Sequence, residues 1–405
     1  MEKTRPTEGI LKHTETLDKI VQPLLRWFKS EKRMLPWREE PTPYRVWVSE
    51  IMLQQTRVEA VKPYFERFVA ALPDVRSLAH ADETTLMKLW EGLGYYSRAR
   101  HLQDAARLIC RDYGGNVPAH FDDLLALPGI GRYTAGAVAS IAFGERRPAV
   151  DGNVLRVIMR LLACSADILK ERTKRIVEEA LLARLPENAG DFNQALMELG
   201  ALICLPRGAA RCPACPLERL CLAKEAGLQA ELPQKTPPKR RRTEKLTIFL
   251  LSKGGRIALE KRPPQGLLAG LWGFPAMEGH LKKEEVEKAL KTTGFIPLKL
   301  RELPSAQHIF SHITWQMVGW HIHLAESSSG GASLLAKATP EASEDAAMST
   351  WSSASLLHEA AAPYTAAAKI PPLLWATAQE IIDTYSVPAA YRSYFPYIRA
   401  ESDSS

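Results

Sequence analysis

Two carboxylates, Glu50 and Asp151, offer the chemistry that is legible first in this sequence. Glu50 lies in VWVSEIMLQQ, flanked by Trp47, Val48, Ile51, Met52 and Leu53. A carboxyl on so apolar a helix is expected to have a raised pKa and to donate a proton near neutral pH. The competing reading sets it on the helix's polar face beside Gln54. Asp151 stands in Pro-Ala-Val-Asp-Gly-Asn-Val, ahead of the run NVLRVIMRLLA. It reads as a helix N-cap, whose amides and dipole are expected to hold it ionised and able to face a cation. One acid that protonates a leaving group and one carboxylate beside an oxocarbenium-like centre form the arrangement that cleaves glycosidic bonds.

Four of the six cysteines fall within eighteen residues, as Cys204-x7-Cys212-x2-Cys215-x5-Cys221. In a reducing compartment that clustering points to metal ligation rather than disulfides. The spacing suits either tetrahedral zinc or a [4Fe–4S] cluster and does not separate them. A structural and electrostatic role is expected, since nothing nearby offers a redox partner. Arg207, Arg211 and Arg219 lie between or beside these cysteines and make the loop cationic, suited to phosphates. A second anion-binding feature is Leu127-Pro-Gly-Ile-Gly131, between FDDLLA and RYTAGAVASIAF. Gly129 and Gly131 allow a tight turn whose amides project at a helix start, which binds phosphate without a side chain. By itself such a turn is also an ordinary helix–helix connection.

These residues need a scaffold, and the periodicity supplies one. The 405 residues exceed one compact core, and 46% hydrophobic content argues against wholesale disorder. Residues 15–227 read as successive helices, including DETTLMKLWEGL, RHLQDAARLICRDY and NQALMELGALI, broken by short Gly, Pro and Asp segments. Residues 228–245 are rich in proline and basic residues and read as a linker, either a solvated tether or one that also follows phosphates. From Leu246 to residue 385 the pattern is α+β. The strand-like runs are LTIFLLS, RIALEKR, LWGFPA and HIFSHITWQMVGWHIHL, with one helix at EEVEKALKTTG. Residues 326–347 read as a surface loop and 386–405 as an unassigned tail. The net charge of +7 favours a polyanionic partner. The N-terminal residues carry no signal-peptide core and no run spans a bilayer, so an intracellular protein, cytoplasmic or at the nucleoid, is expected.

With those residues in view, the chain resembles the MutY family of helix-hairpin-helix DNA glycosylases. The resemblance rests on LPWR (35–38), PYRVWVSEIMLQQTRV (43–58), EGLGYYSRARHL (91–102), LPGIGRYTAG (127–136), AVDGNV (149–154) and the four-cysteine loop, in order. It covers the helical region almost end to end; a weaker one links residues 246–385 to that family's Nudix-like C-terminal domain. The fold it implies is multidomain, an all-α helix-hairpin-helix glycosylase domain with a [4Fe–4S] loop (204–221), joined to an α+β Nudix-like domain. The activity it implies is monofunctional removal of adenine mispaired with 8-oxoguanine or guanine in duplex DNA, in base excision repair, by a monomer.

The resemblance also implies roles. Glu50 would protonate adenine and then assist water, and Asp151 would stabilise the sugar cation, with Tyr133 and Asn153 holding the pair. Gln194 would lie against the flipped adenine. Gln55 and Tyr95 would enter the duplex where the base leaves, offsetting part of the few kcal/mol that extrusion costs. Trp37, Arg38, Thr56 and Leu93 would line the pocket or touch the orphaned base. In the related endonuclease III a nucleophilic lysine occupies the position of Tyr133, and a phenol forms no Schiff base, so excision without efficient strand cleavage is expected.

Phe310, Ser311 and His312 match a loop that contacts 8-oxoguanine; the plain alternative is an ordinary start to a strand. Lys291 and Thr292, in EKALKTTGF, stand where a Nudix hydrolase keeps its magnesium-binding glutamates, so nucleotide hydrolysis is not expected. The family's first cysteine gap is usually one residue shorter than here. Two other readings stay open: a bifunctional glycosylase/lyase for oxidised pyrimidines, and a non-catalytic lesion binder or nucleotide pyrophosphatase built on the C-terminal domain.

Overall fold

The computed structural model describes residues 10, 12–206, 209–237, 240–328 and 373–402. Arg207, Lys239 and most of the expected loop at 326–347 lie outside the described residues. The chain divides into two compact units, Met1–Ala81 with Ser97–Pro238, and Asp82–Tyr96 with Lys239–Ser405. Residues 82–96, read from sequence as part of the helical region, thus group with the second unit.

The regular elements described in the first unit are all helical, as the 3.6-residue periodicity demands. Helix α1 (Pro43–Leu53) starts at Thr42, whose hydroxyl accepts from the Arg45 amide, and carries proline in its first turn. Tyr44 and every residue from Val46 to Met52 are buried, so α1 is enclosed on all faces. This removes the polar-face reading of Glu50, since α1 has no wet side at that level. Helix α2 (Ser97–Asp112) and the short α3 (Phe121–Leu125) follow, and α3 leads through the glycine turn into α4 (Arg132–Phe143). Helices α5 (Gly152–Leu161) and α6 (Ala189–Leu202) pack Val154, Leu155, Ile158, Phe192, Leu196 and Leu199 into one core with Leu24 and Phe28.

Two glycines permit close approaches that fix the site. A Cβ on Gly136 of α4 would stand 2.2 Å from the Pro148 carbonyl oxygen, so α4 lies directly on the backbone leading to Asp151. A Cβ on Gly200 of α6 would stand 2.6 Å from the Asn153 Cβ, so α6 abuts the start of α5.

The second unit is built on a mixed sheet. Its strands are β1 (Arg242–Lys253), β2 (Arg256–Lys261), β3 (Trp272–Gly273), β4 (Ala276–Glu278), β5 (Pro297–Ile309), β6 (Ile313–Leu324) and β7 (Leu374–Ala376). The order is β3-β2-β1-β6-β5, with β4 paired to β1 and β7 to β2. β1 runs parallel to β6, from Arg242 against Ile313 to Ser252 against His323, and the other pairings are antiparallel. Alternation along β1 sends Ile248 and Leu250 to one face and Phe249 and Leu251 to the other. Helix α7 (Lys283–Thr292) covers the second face with Val286 and Leu290.

The first face is covered by Val387, Ala390, Tyr391, Tyr394 and Ile398. The segment from 386 onward, unassigned from sequence, therefore completes the second core. The expected linker is shorter than read. Leu232 is buried, the Ile168 amide donates to the Gln234 carbonyl, Thr236 donates to Asp167, and β1 begins at Arg242.

Candidate active site

Glu50 and Asp151 lie in the same unit and feel each other's charge. The Glu50 carboxylate is 6% exposed and accepts a 2.5 Å hydrogen bond from the Tyr133 hydroxyl, which also contacts the Met197 sulfur at 3.2 Å. Burial is the main cause that pushes the Glu50 carboxyl up, to about 7. The Tyr133 hydrogen bond and Arg38 oppose this, and the Asp151 charge adds to it. A carboxyl poised there is half protonated at neutrality, the condition a general acid needs. Burial also drives the Tyr133 phenol far above its ordinary value, followed by the charges of Glu50 and Asp151, so it remains a donor.

Asp151 is the N-cap of α5 and accepts from the Val154 amide at 2.7 Å and from the Asn153 side-chain amide at 2.6 Å. Burial nevertheless raises its pKa, and these hydrogen bonds only moderate the rise. From sequence the helix start is expected to hold Asp151 ionised; in the fold, desolvation outweighs the amides in direction.

Around the pair are charged residues of which sequence reasoning singles out only Arg38. Glu198, 2% exposed on α6, accepts from the Arg33 guanidinium at 2.7 and 3.0 Å and from Arg38 at 3.1 Å. Burial works against the Glu198 charge, yet the two arginines hold its carboxyl down at about 2. Arg38 in turn donates to the Gln194 side-chain oxygen at 3.0 Å, so Glu198 fixes Arg38 and Arg38 fixes Gln194. Trp37 is buried and meets Phe65 edge-on at 5.4 Å. The signal for Glu198 was a glutamate one helical turn beyond Gln194 in the otherwise apolar NQALMELGALI.

A second buried network leads from Asn153 toward the cysteines. Arg156 donates to the Asn153 side-chain oxygen at 2.9 Å, to the Gly200 carbonyl at 2.7 Å and to the Cys204 carbonyl at 2.7 Å. Arg160, one turn on, donates to the Cys204 sulfur at 3.3 Å and to the carbonyls of Leu205 and Leu232 at 2.9 and 2.8 Å. Two arginines four residues apart in NVLRVIMRLLA were the available sign, because they share one helical face.

The four cysteines of the loop are free thiols, all half-buried, and Cys204, Cys215 and Cys221 pack on the first core. Burial above all, with smaller contributions from the other three sulfurs and against a backbone hydrogen bond at Leu217, pushes the Cys215 thiol up to about 12. That mutual effect places the four in one neighbourhood. Among the described residues no three His, Cys, Asp or Glu side chains converge tightly enough to hold a single metal ion.

The hairpin forms as read. Gly129 has φ +73°, where a Cβ would also strike the His101 Cβ at 2.6 Å, and Gly131 is the N-cap of α4. Gln55, exposed at the end of α1, has φ +57°, and Thr56 follows it. Tyr95 is 39% exposed with φ +48°, and Leu93 is buried, both within the segment grouped with the second unit. Two of the four non-glycine residues at positive φ among those described are thus the residues expected to enter the duplex.

In the second unit, Phe310, Ser311 and His312 form the connection between β5 and β6. Phe310 is half-buried and meets Trp315 and His308 edge-on at 5.0 and 4.6 Å, and its carbonyl accepts from Arg241. Ser311 contacts the His312 Nδ1 at 3.2 Å, and the buried His312 Nε2 has no hydrogen-bond partner. Lys291 and Thr292 sit exposed at the end of α7.

Among known proteins, residues 48–183 match the HhH-GPD superfamily of base excision DNA repair proteins, and residues 247–396 match the NUDIX domain. The adenine DNA glycosylase of Homo sapiens is 38% identical over 363 residues, 73% of this chain and 66% of that one. That of Mus musculus is 37% identical over 370 residues, covering 75% and 71%. That of Buchnera aphidicola subsp. Schizaphis graminum is 32% identical over 306 residues, covering 75% and 87%. The chain thus spans about two thirds of the human relative's length.

Proposed function

The chain belongs to the adenine DNA glycosylases, a family of helix-hairpin-helix base excision repair proteins, and from that membership we propose that it hydrolyses the N-glycosidic bond of adenine mispaired with 8-oxoguanine or guanine in duplex DNA. The observation that carries this reading is the buried Glu50, poised at about 7, held by Tyr133 and within the field of Asp151.

In this reading Glu50 gives its proton to N7 of the extruded adenine, and the electrons of the C1′–N9 bond leave with the base. Asp151 faces the cation that remains. Water then adds to C1′ and loses its proton to the Glu50 carboxylate, leaving an abasic site. Tyr133 keeps Glu50 in place, Asn153 keeps Asp151 in place, and Gln194, braced by Arg38, lies against the base. Trp37 and Thr56 line the pocket, and Leu93 contacts the orphaned base. Gln55 enters the duplex where the base leaves, Tyr95 of the second unit is also a duplex-entering residue, and the amides at Gly129 and Gly131 take phosphates. Phe310, Ser311 and His312 read the 8-oxoguanine. With a phenol at residue 133, no Schiff base forms there and the strand stays intact.

The cysteines suit a [4Fe–4S] cluster, because four free thiols share one neighbourhood and Arg160 donates to the Cys204 sulfur. Zinc on the same four is the alternative, and iron and sulfide analysis decides between the two. When bound, the group would lock the loop and supply no chemical step. In this reading the protein works as a monomer on DNA. No helix among the described residues is long and apolar enough to cross a membrane.

The test is incubation with duplexes bearing adenine opposite 8-oxoguanine, adenine opposite guanine, and thymine glycol, each then treated with alkali. Alkali-dependent cleavage at adenine in the first two is expected. Cleavage at thymine glycol alone, or a borohydride-trapped adduct lost with one lysine, would overturn the reading.

A further inference from the structure

The end of α1 is held by a residue that no role has yet claimed. Arg98, near the start of α2 and 8% exposed, sends one guanidinium nitrogen to three backbone carbonyls, those of Ile51 at 2.9 Å, Met52 at 3.0 Å and Gln54 at 2.5 Å. Its other terminal nitrogen reaches the Thr56 hydroxyl at 3.4 Å. Carbonyls at a helix C-terminus have no partner in the helix and carry the negative end of its dipole, so a buried cation both satisfies and attracts them. The contacts bracket Gln55, which is exposed and held at φ +57°. That conformation is costly for a residue with a Cβ and persists where surroundings enforce it.

We propose that Arg98 is a positioning residue, a clamp that holds the 54–56 turn in its strained form so that Gln55 is preset to enter DNA. The proposal rests on the reading of Gln55 as the duplex-entering residue, and only its DNA arm depends on that reading. Arg98 touches no reacting atom in this account. It acts through backbone on one side of Gln55 and through the Thr56 hydroxyl on the other. Lysine keeps the charge on a single nitrogen, which could reach the three carbonyls but not the Thr56 hydroxyl as well, so the tie beyond Gln55 is lost.

The experiment has two arms. Without DNA, amide hydrogen exchange is followed in the full chain and in Arg98→Lys. The Thr56 amide, which donates to the Leu53 carbonyl at 3.2 Å, is expected to exchange about tenfold faster in the variant while amides of α4 and α6 are unchanged. Unchanged exchange at residue 56 overturns the clamp whether or not the protein excises adenine. With DNA, 2-aminopurine opposite 8-oxoguanine reports unstacking by fluorescence. Arg98→Lys is expected to slow the rise about tenfold, and Arg98→Lys combined with Gln55→Ala is expected to match Gln55→Ala alone. Independent, additive losses would assign Arg98 to general stability and overturn its action through Gln55. Arg98→Gln, which keeps a donor in the same buried space, serves both arms if the lysine variant does not fold. An absence of excision by the unaltered protein on every duplex would sink the proposed function and leave the exchange arm standing.

Discussion

Replacing Glu50 with glutamine is expected to abolish excision and, at the same time, to stabilise the fold at neutral pH. The ordinary value for a glutamate is 4.5, and burial moves Glu50 up to about 7. That difference corresponds to about 3 kcal/mol favouring the protonated form in the folded protein. The sign follows from linkage. The folded state binds this proton more tightly than the unfolded chain does. The stabilisation it provides is complete below about pH 4.5 and is lost as pH rises through about 7. The glutamine side chain of the Glu50→Gln variant would be neutral throughout and would resemble the protonated acid in shape, still accepting from the Tyr133 hydroxyl.

The gap in stability between Glu50→Gln and the unaltered chain should therefore be near zero at about pH 4.5, about 1 kcal/mol at pH 5.5 and about 3 kcal/mol at pH 7 and above. For a domain of this size that is roughly 6–12 °C in melting temperature at neutral pH. The assay is calorimetric unfolding from about pH 5 to pH 8, paired with single-turnover excision and duplex-binding measurements. Binding is expected to survive. A variant no more stable than the parent at about pH 8, or a gap that does not narrow toward pH 5, would mean that Glu50 is comfortably ionised in the fold. The acid mechanism would then lose its physical basis, and retained single-turnover excision would remove Glu50 from the chemistry outright.

Tyr133→Phe removes a hydrogen bond that lowers the Glu50 pKa, so the alkaline limb of the excision rate should move to higher pH while the maximum rate falls; a pH profile of single-turnover rates checks the direction. Gly136→Ala drives a methyl group to 2.2 Å from the Pro148 carbonyl oxygen. It should cost about 1–3 kcal/mol by forced backbone movement, and displace Asp151 enough to slow excision tenfold or more; melting and rate are measured together. Arg156→Gln breaks the bonds that tie Asn153 and Gly200 to Cys204. Both excision and iron content per chain should fall, and a loss confined to one of the two would show that the network does not couple them.

What the sequence disclosed and what it withheld divide along a physical line. Periodicity placed α1, α4 and α5 to within a few residues because each is dominated by burial, and burial leaves a pattern. It did not disclose β5, whose exposed edge position imposes no alternation and whose run is interrupted by Pro304. It left the segment after 386 unassigned, although Tyr391 and Tyr394 close a core, because a short helical segment of mixed polarity carries too weak a period to read. Glu50 and Asp151 were legible as candidates from local context alone, one by its apolar neighbours and one by its place before a helix. The raised pKa of Asp151 was not, since it depends on how deeply chain distant in sequence buries the start of α5.

The same distinction explains why Arg33, Glu198 and Arg98 were missed, and why Arg38 was named without its partners. Arg33, Arg38 and Glu198 meet across 165 and 160 residues of chain, and Arg98 reaches carbonyls some 45 residues away. A charged side chain in an apolar helix announces that some partner must exist, because burying it alone is prohibitive. It does not say which partner. At this site the partners are what set the positions and charges of the two candidate carboxylates. Arg38 opposes the rise of the Glu50 pKa, Glu198 anchors Arg38, and Arg156 braces the residue that holds Asp151. Sequence could nominate the two candidate reacting groups; only folding could set the field that lifts the pKa of one of them to about 7.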